Sequence, residues 1–274
     1  MNLRARRIAV IALLLTATCG ALFIFLQPRI ATERHWQALQ VRGVLRVGID
    51  PGVRPFSFFG ATGWEGYEAD VAREIGRRLN LRIEAIPVGY DGFYDALTTD
   101  RVDVAMSALV PDVSRLNEFV FSDATIDVGV RLIGGTGVVY HEPNDLRNAR
   151  VGVVLGSEAD RTARWYERRV PGMQRVVVGN EKELMPQLRL GTFEWATADG
   201  VGVFAMGCPA ISHRDGATHA PTTRCYSIQP LSYVVAASRA NARPVGEINR
   251  VLNAMQADGT LDQLAAKWFV ANAR

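Results

Sequence analysis

Four residues whose side chains could do chemistry crowd one stretch of the chain: Cys208, His213, His219 and Cys225. Their spacing matches no structural or catalytic zinc pattern. Cys19 stands apart near the N-terminus, which leaves Cys208 and Cys225 as an even pair. That pairing suits a disulfide in an oxidising compartment, with two free buried thiols as the alternative. A bridge would close a loop containing Pro209, Gly216 and Pro221 and contribute about 3 kcal/mol on the chain-entropy account. Other chemistries lack their signatures. No Walker A loop, Gly-x-Ser-x-Gly elbow or His-Glu-x-x-His helix occurs, so nucleotide hydrolysis, serine hydrolysis and zinc proteolysis are unsupported. Gly134-Gly135-Thr136-Gly137 is glycine-rich but opens no helix and reads as a loop. No cofactor and no metal are expected.

The chain has 274 residues, 48% hydrophobic and 22% charged, which are ordinary globular values. Arg4, Arg6, Arg7, Arg29 and Arg34 against Glu33 give residues 1–40 a charge of +4. The net +3 of the chain therefore leaves the body at −1 and gives no support to a nucleic-acid-binding surface. Ile8 to Leu26 carries no charge and would span roughly 28 Å as a helix, about one hydrocarbon core. The arginines before it predict export of the body. An uncleaved anchor over residues 8–26 is favoured, with a cleaved signal segment and a lipoprotein at Cys19 as alternatives. Residues 27–43 read as a polar, helix-prone linker.

Beyond the linker the apolar periodicity alternates between strand and helix. Val44 to Ile49 alternates as a strand, and Asp50-Pro51-Gly52 breaks it. Val71, Ile75 and Leu79 mark one face of a helix over 67–79. Leu81 to Val88 and Val102 to Met106 are further strands, with a short helix around Tyr94 and Leu97 between them. The series restarts at Arg150, with strands over 151–155, 175–178 and 193–199. Helices begin after Gly156-Ser157 and at Glu181. The last part returns to a strand over 232–237 and two helices, the first ended by Gly259. Two successive β-α-β units predict an α/β protein of two lobes with a ligand cleft between the strand ends.

Gly43-Val44-Leu45-Arg46-Val47-Gly48, Pro55-Phe56, Gly66-Tyr67-Glu68-Ala69-Asp70-Val71-Ala72 and Phe121-Ser122-Asp123 resemble the bacterial extracellular solute-binding proteins of family 3. The tail Ala257-Asp258-Gly259-Thr260-Leu261 with Lys267-Trp268-Phe269 is similar to that family's ending. The resemblance runs from about Val41 to Phe269. It implies a type II periplasmic-binding-protein fold, preceded here by a transmembrane helix or signal segment. The expected division is 1–40 as signal, anchor and linker, 41–131 with 229–274 as lobe 1, and 132–228 as lobe 2.

The resemblance also implies site residues. Arg115 matches the arginine that binds an amino-acid carboxylate, a task suited to the forked guanidinium. Asp199, where a strand ends before Gly200, matches the aspartate that takes the ammonium from the other lobe. Tyr90, Val53 and Phe56 match wall positions, although core packing is an equal expectation for Phe56. Asp50 matches a position that reaches a polar side chain, or else closes a turn with Pro51-Gly52. Ser107 and Ala108 in lobe 1, and Gly156 and Ser157 at a helix N-terminus in lobe 2, should offer backbone donors. Three positions depart from the family pattern. Val110 replaces a hydroxyl residue, Asp112 replaces a threonine and reads as a helix cap, and Glu158 stands near the expected carboxylate.

The implied function is non-enzymatic. The resemblance implies a monomer in the periplasm, tethered by residues 8–26, that captures an amino acid or related small solute and passes it to an ABC permease. Two rivals use the same fold: a stand-alone extracytoplasmic sensor, and a cyclohexadienyl or arogenate dehydratase needing a general acid in the cleft. The chain stops just past Trp268-Phe269, which disfavours an attached kinase or transglycosylase domain.

Overall fold

The computed structural model describes residues 32–205, 208 and 225–270. The apolar stretch 8–26, His213 and His219 lie outside the described residues. Among the described residues no helix is long and apolar enough to cross a membrane, and no cluster of His, Cys, Asp and Glu could hold a metal ion.

Two five-stranded sheets organise the chain. In the first, strands run in the order Arg82–Pro87, Val44–Ile49, Val104–Ala105, Ala236–Ser238, Phe119–Phe121. The second repeats the pattern with Gln174–Val178, Arg150–Val154, Trp195–Asp199, Val130–Gly134 and Cys225–Gln229. In each sheet the first three strands and the fifth run in one direction, and the fourth runs antiparallel to both its neighbours. The buried runs are rich in Val, Ile and Ala, as strands covered on both faces must be. The chain leaves the first sheet after Phe121 and enters the second at Val130. It leaves the second after Gln229 and rejoins the first at Ala236. Between the sheets, Ile126–Asp127 and Ser232–Tyr233 pair antiparallel as a two-stranded ribbon.

The helix Tyr67–Leu79 has the bounds that its periodicity predicts, and it buries Val71, Ala72 and Ile75. It stops at Asn80 in the left-handed conformation, whose N–H reaches the carbonyls of Gly76 and Arg77. Arg243–Ala257 packs beside it, with Val245, Ile248, Val251, Leu252 and Met255 inward. Gly259, at φ +80°, turns the chain into Thr260–Ala265.

The strands Phe119–Phe121, Val130–Gly134 and Cys225–Gln229 were not legible from periodicity, and neither were two further features. Residues 52–65 hold a small three-stranded sheet of Gly52–Val53, Ser57–Gly60 and Gly63–Glu65. Residues 32–42, read as a helix-prone linker, are helical, but the periodicity did not show that they place Trp36 and Leu39 in the first lobe's core. Two apolar residues three apart make a stripe narrow enough to be hidden among polar neighbours. The fully buried Asp103 carboxylate fastens this segment, accepting from Arg42 at 2.5 Å and from Arg46 at 2.8 Å.

The motif pieces quoted above converge in space. Lys267 Nζ and Trp268 Nε1 donate to the same Asp70 oxygen at 2.6 and 2.8 Å. The Phe269 ring packs on Phe56 and Tyr67 at 5.1 and 5.3 Å between centroids. Gly66, at φ +125°, lies so close to Phe56 that a Cβ would sit 2.2 Å from its carbonyl oxygen. These residues join chain segments that are 197 positions apart at Asp70 and Lys267.

Candidate functional site

The first strand delivers Asp50 to the edge of lobe 1. Its carboxylate accepts from the Gly52 N–H at 2.9 Å and from the Tyr90 N–H at 3.1 Å. Asp50 thus closes an Asx turn and pins the neighbouring loop, so both oxygens serve backbone. The pinned Tyr90 keeps its ring 45% exposed and stands edge-on to Phe93. Val53 is half-buried against the lobe 1 core. Phe56 is corrected to a core residue: it has no exposed surface, and Tyr67, Tyr233 and Phe269 surround its ring. Ser107 is fully buried and its hydroxyl donates to the Asp50 carbonyl at 2.9 Å. Ala108 adopts φ +49°, and its N–H donates to Glu68 at 2.8 Å. That donor is therefore occupied, contrary to the expectation for it.

Arg115 closes a single 3₁₀ turn, Val113–Arg115. Asp112 caps the turn by accepting from the Ser114 N–H at 2.9 Å. The Arg115 guanidinium lies 4.3 Å from the Tyr94 ring centre and 3.8 Å from the Glu118 carboxylate. Its side chain is 36% exposed, so the fork remains accessible.

In lobe 2, Asp199 ends the strand Trp195–Asp199 and accepts from the Ala159 N–H at 2.6 Å. The carboxylate thus sits on the N-terminus of the helix Glu158–Glu167, where unpaired N–H groups favour negative charge. Burial nonetheless dominates and raises its pKa, with the Ala159 bond and the Arg161 charge working the other way. The donors expected at Gly156 and Ser157 are occupied. The Gly156 N–H goes to Asp160 at 3.0 Å, the Ser157 N–H to the Val154 carbonyl, and the Ser157 hydroxyl caps the helix. Asp160 is fully buried against Arg164 and Arg175. This helix N-terminus is satisfied by the chain's own carboxylates, so it offers a ligand carboxylate less than the sequence suggests.

Two residues that sequence reasoning missed lie between these groups. Tyr233, on the ribbon joining the lobes, is buried, and a Cβ at Gly200 would fall 1.8 Å from its hydroxyl oxygen. Its hydroxyl therefore reaches the turn that follows Asp199. Burial, then the charges of Asp199 and Glu68, push its pKa well up. Glu68, fully buried beneath the site, has one oxygen on Ala108 and the other without a partner. Burial raises its pKa to about 8. Glu68 lies inside a quoted motif, but its chemistry is invisible there because an acid in a helix's first turn is ordinarily solvated.

Asp199, Tyr233, Tyr90 and Glu68 thus share one neighbourhood, with Asp50 bonded to the Tyr90 backbone. Arg115 adjoins it through Tyr94, whose own pKa responds to both Tyr90 and Arg115. Among the described residues no direct contact joins Arg115 to Asp199.

Residues 45–271 match the bacterial extracellular solute-binding proteins, family 3. The chain belongs to this family. Its members are extracellular or periplasmic, and the Cys208–Cys225 disulfide found here suits that compartment. The chain is 27% identical over 246 residues to the L-cystine-binding protein of Escherichia coli, covering 88% of each. It is 22% identical over 227 residues to an L-arginine-binding protein of Pseudomonas aeruginosa, covering 82% of this chain and 87% of that one. Among solved structures, an ancestral cationic amino-acid solute-binding protein superposes with a TM-score of 0.66 at 24% identity, covering 85% and 98%. A Bacillus subtilis protein does so at 0.67 and 20%, covering 85% and 92%. These superpositions establish the two-lobed periplasmic-binding fold for this solute-binding protein.

Proposed function

We propose that this protein captures a free amino acid between its lobes and delivers it to an ABC permease, acting as a monomer without covalent chemistry. In this reading residues 41–131 with 229–274 form lobe 1, residues 132–228 form lobe 2, and residues 8–26 tether the body to the membrane. Relatives whose names specify cystine, arginine and amino-acid ABC transport support the ligand class and the partner.

The observation that carries the reading is the placement of Asp199. It is a half-buried carboxylate with a raised pKa, at a helix N-terminus, beside the hydroxyl of a tyrosine on the interlobe ribbon. An ammonium arriving there supplies the counter-charge that burial denies. Arg115 is assigned to the ligand carboxylate, its guanidinium 4.3 Å from the Tyr94 ring centre on the lobe 1 side. A ligand gripped by both lobes contacts the closed form more fully than the open one, and that difference drives closure.

Titration calorimetry against amino acids and their amine-free analogues tests this. Arg115→Ala is expected to weaken binding by about 2–5 kcal/mol. Asp199→Asn should harm amine-bearing ligands far more than amine-free acids. Equal losses for both ligand types would remove Asp199 from the ammonium site, and no binding by any amino acid would refute the function.

A further inference from the structure

Three acidic residues are buried among the described residues: Asp103, Asp160 and Glu68. Asp103 pairs with Arg42 and Arg46, and Asp160 with Arg164 and Arg175. Glu68 differs, because no cation of the described residues acts on it. It stands in the first turn of the helix Tyr67–Leu79 and has no exposed surface. One oxygen accepts from the Ala108 N–H at 2.8 Å, and the other is buried without a partner. Ala108 is held at φ +49°, a region that residues other than glycine rarely enter.

The titratable groups that face Glu68 are phenols. Tyr67, on the same helix, donates to the Thr125 carbonyl at 2.6 Å. Tyr233 on the interlobe ribbon and Tyr90 on the lobe 1 turn both respond to the Glu68 charge. Burial keeps all three phenols protonated. The loop carrying Phe56 contributes only its carbonyl, which accepts from the Glu68 N–H at 3.0 Å. The other carboxyls at the site are Asp50, spent on the Gly52 and Tyr90 N–H groups, and Asp199, whose charge also reaches Tyr233. None of these groups supplies positive charge. A carboxyl taken out of water with one oxygen unsatisfied favours its neutral form, and the Glu68 pKa is accordingly pushed up to about 8.

Tyr233 links Glu68 to the ammonium site, because its hydroxyl reaches the turn after Asp199. A cation bound beside Asp199 thus acts on Glu68 through an interior that screens charge weakly. We propose that Glu68 gives up its proton when the site takes an ammonium, so that capture of an amine is proton-linked. The proton passes to the buffer, and a neutral carboxyl becomes a second negative charge facing the cation. Glu68 then adds to Asp199 in selecting amines over amine-free acids. The inference rests on the amino-acid capture proposed above.

Calorimetry on the full chain, in buffers of different ionisation enthalpy, counts the protons exchanged on binding. The probes are the proteinogenic amino acids other than histidine and cysteine, which themselves titrate near neutrality. Release of a full proton raises affinity about tenfold per pH unit, and a rise of about threefold or more is expected between about pH 6 and about pH 7.5. Glu68→Gln keeps an acceptor for Ala108 and should bind the same probe with a nearly flat pH profile and no proton release. A pH dependence that survives this substitution assigns the proton to another group, Asp199 first, and overturns the proposal. Binding to the parent chain without proton release also overturns it, needs no variant, and leaves amino-acid capture standing. Failure of every probe to bind overturns both.

Discussion

Glu68 carries the largest buried-carboxyl perturbation among the residues around the site. Its pKa moves from an ordinary 4.5 to about 8 because the side chain is fully buried and only Ala108 donates to it. Between those two values the folded chain holds a proton that the unfolded chain has released. Stability therefore falls as pH rises across this window, and below it the two states are equally protonated. Glu68→Gln mimics the protonated carboxyl and keeps an acceptor for Ala108. It is expected to leave the melting temperature almost unchanged at pH 5 and to raise it at pH 8, by about 2–4 °C for each kcal/mol recovered. Thermal denaturation across that pH range checks it, and an unchanged slope would show that another group titrates. The sequence carries the type of each such residue but not its partner. Asp50, Ala108 and Ala159 all meet groups 40 positions away, and no local pattern encodes that distance.

At the scale of elements, the turn from the strand Trp195–Asp199 into the helix Gly200–Ala205 depends on one glycine. Gly200 has φ +46°, and the space its Cβ would need is filled by the Tyr233 hydroxyl. Gly200→Ala should lose about 1–2 kcal/mol through the left-handed backbone alone, and more through the overlap. Tyr233→Phe in the same chain is expected to recover the overlap part. A double-mutant cycle by chemical denaturation measures this, and strictly additive losses would mean that the two residues do not meet. Most helices and parallel strands were legible because their apolar spacing is regular over a dozen residues. The small sheet within residues 52–65 and the core packing of the helix over residues 32–42 were not. The former has strands of two to four residues, and the latter turns only Trp36 and Leu39 fully inward among its polar neighbours.

For the whole molecule, the Cys208–Cys225 bridge closes a loop across 17 positions at the edge of the second sheet. Replacing both cysteines by serine is expected to remove about 3 kcal/mol. Reductant should lower the melting point of the parent chain by a matching amount and leave the variant unmoved. A parent chain insensitive to reductant would show that the bridge adds nothing to stability. The same scale explains why the scattered family motifs travel together: Pro55-Phe56, Gly66-Tyr67, Asp70 and Lys267-Trp268-Phe269 form one packed cluster. They mark the fold more directly than the ligand.

The α/β class and most of the element order follow from residue type and spacing, the family from the resemblance of its motifs, and the disulfide was one of two readings of the cysteine pair. Periodicity records which faces must leave water, and it survives without knowledge of what covers them. The tertiary structure alone decided which polar groups are already satisfied. It took the backbone donors of Gly156, Ser157 and Ala108 away from a ligand and moved Phe56 into the core. It also brought Tyr233 and Glu68 to the site. A hydrogen bond forms with whatever the packed sheets place about 3 Å away, and that neighbour is set by topology rather than by sequence distance.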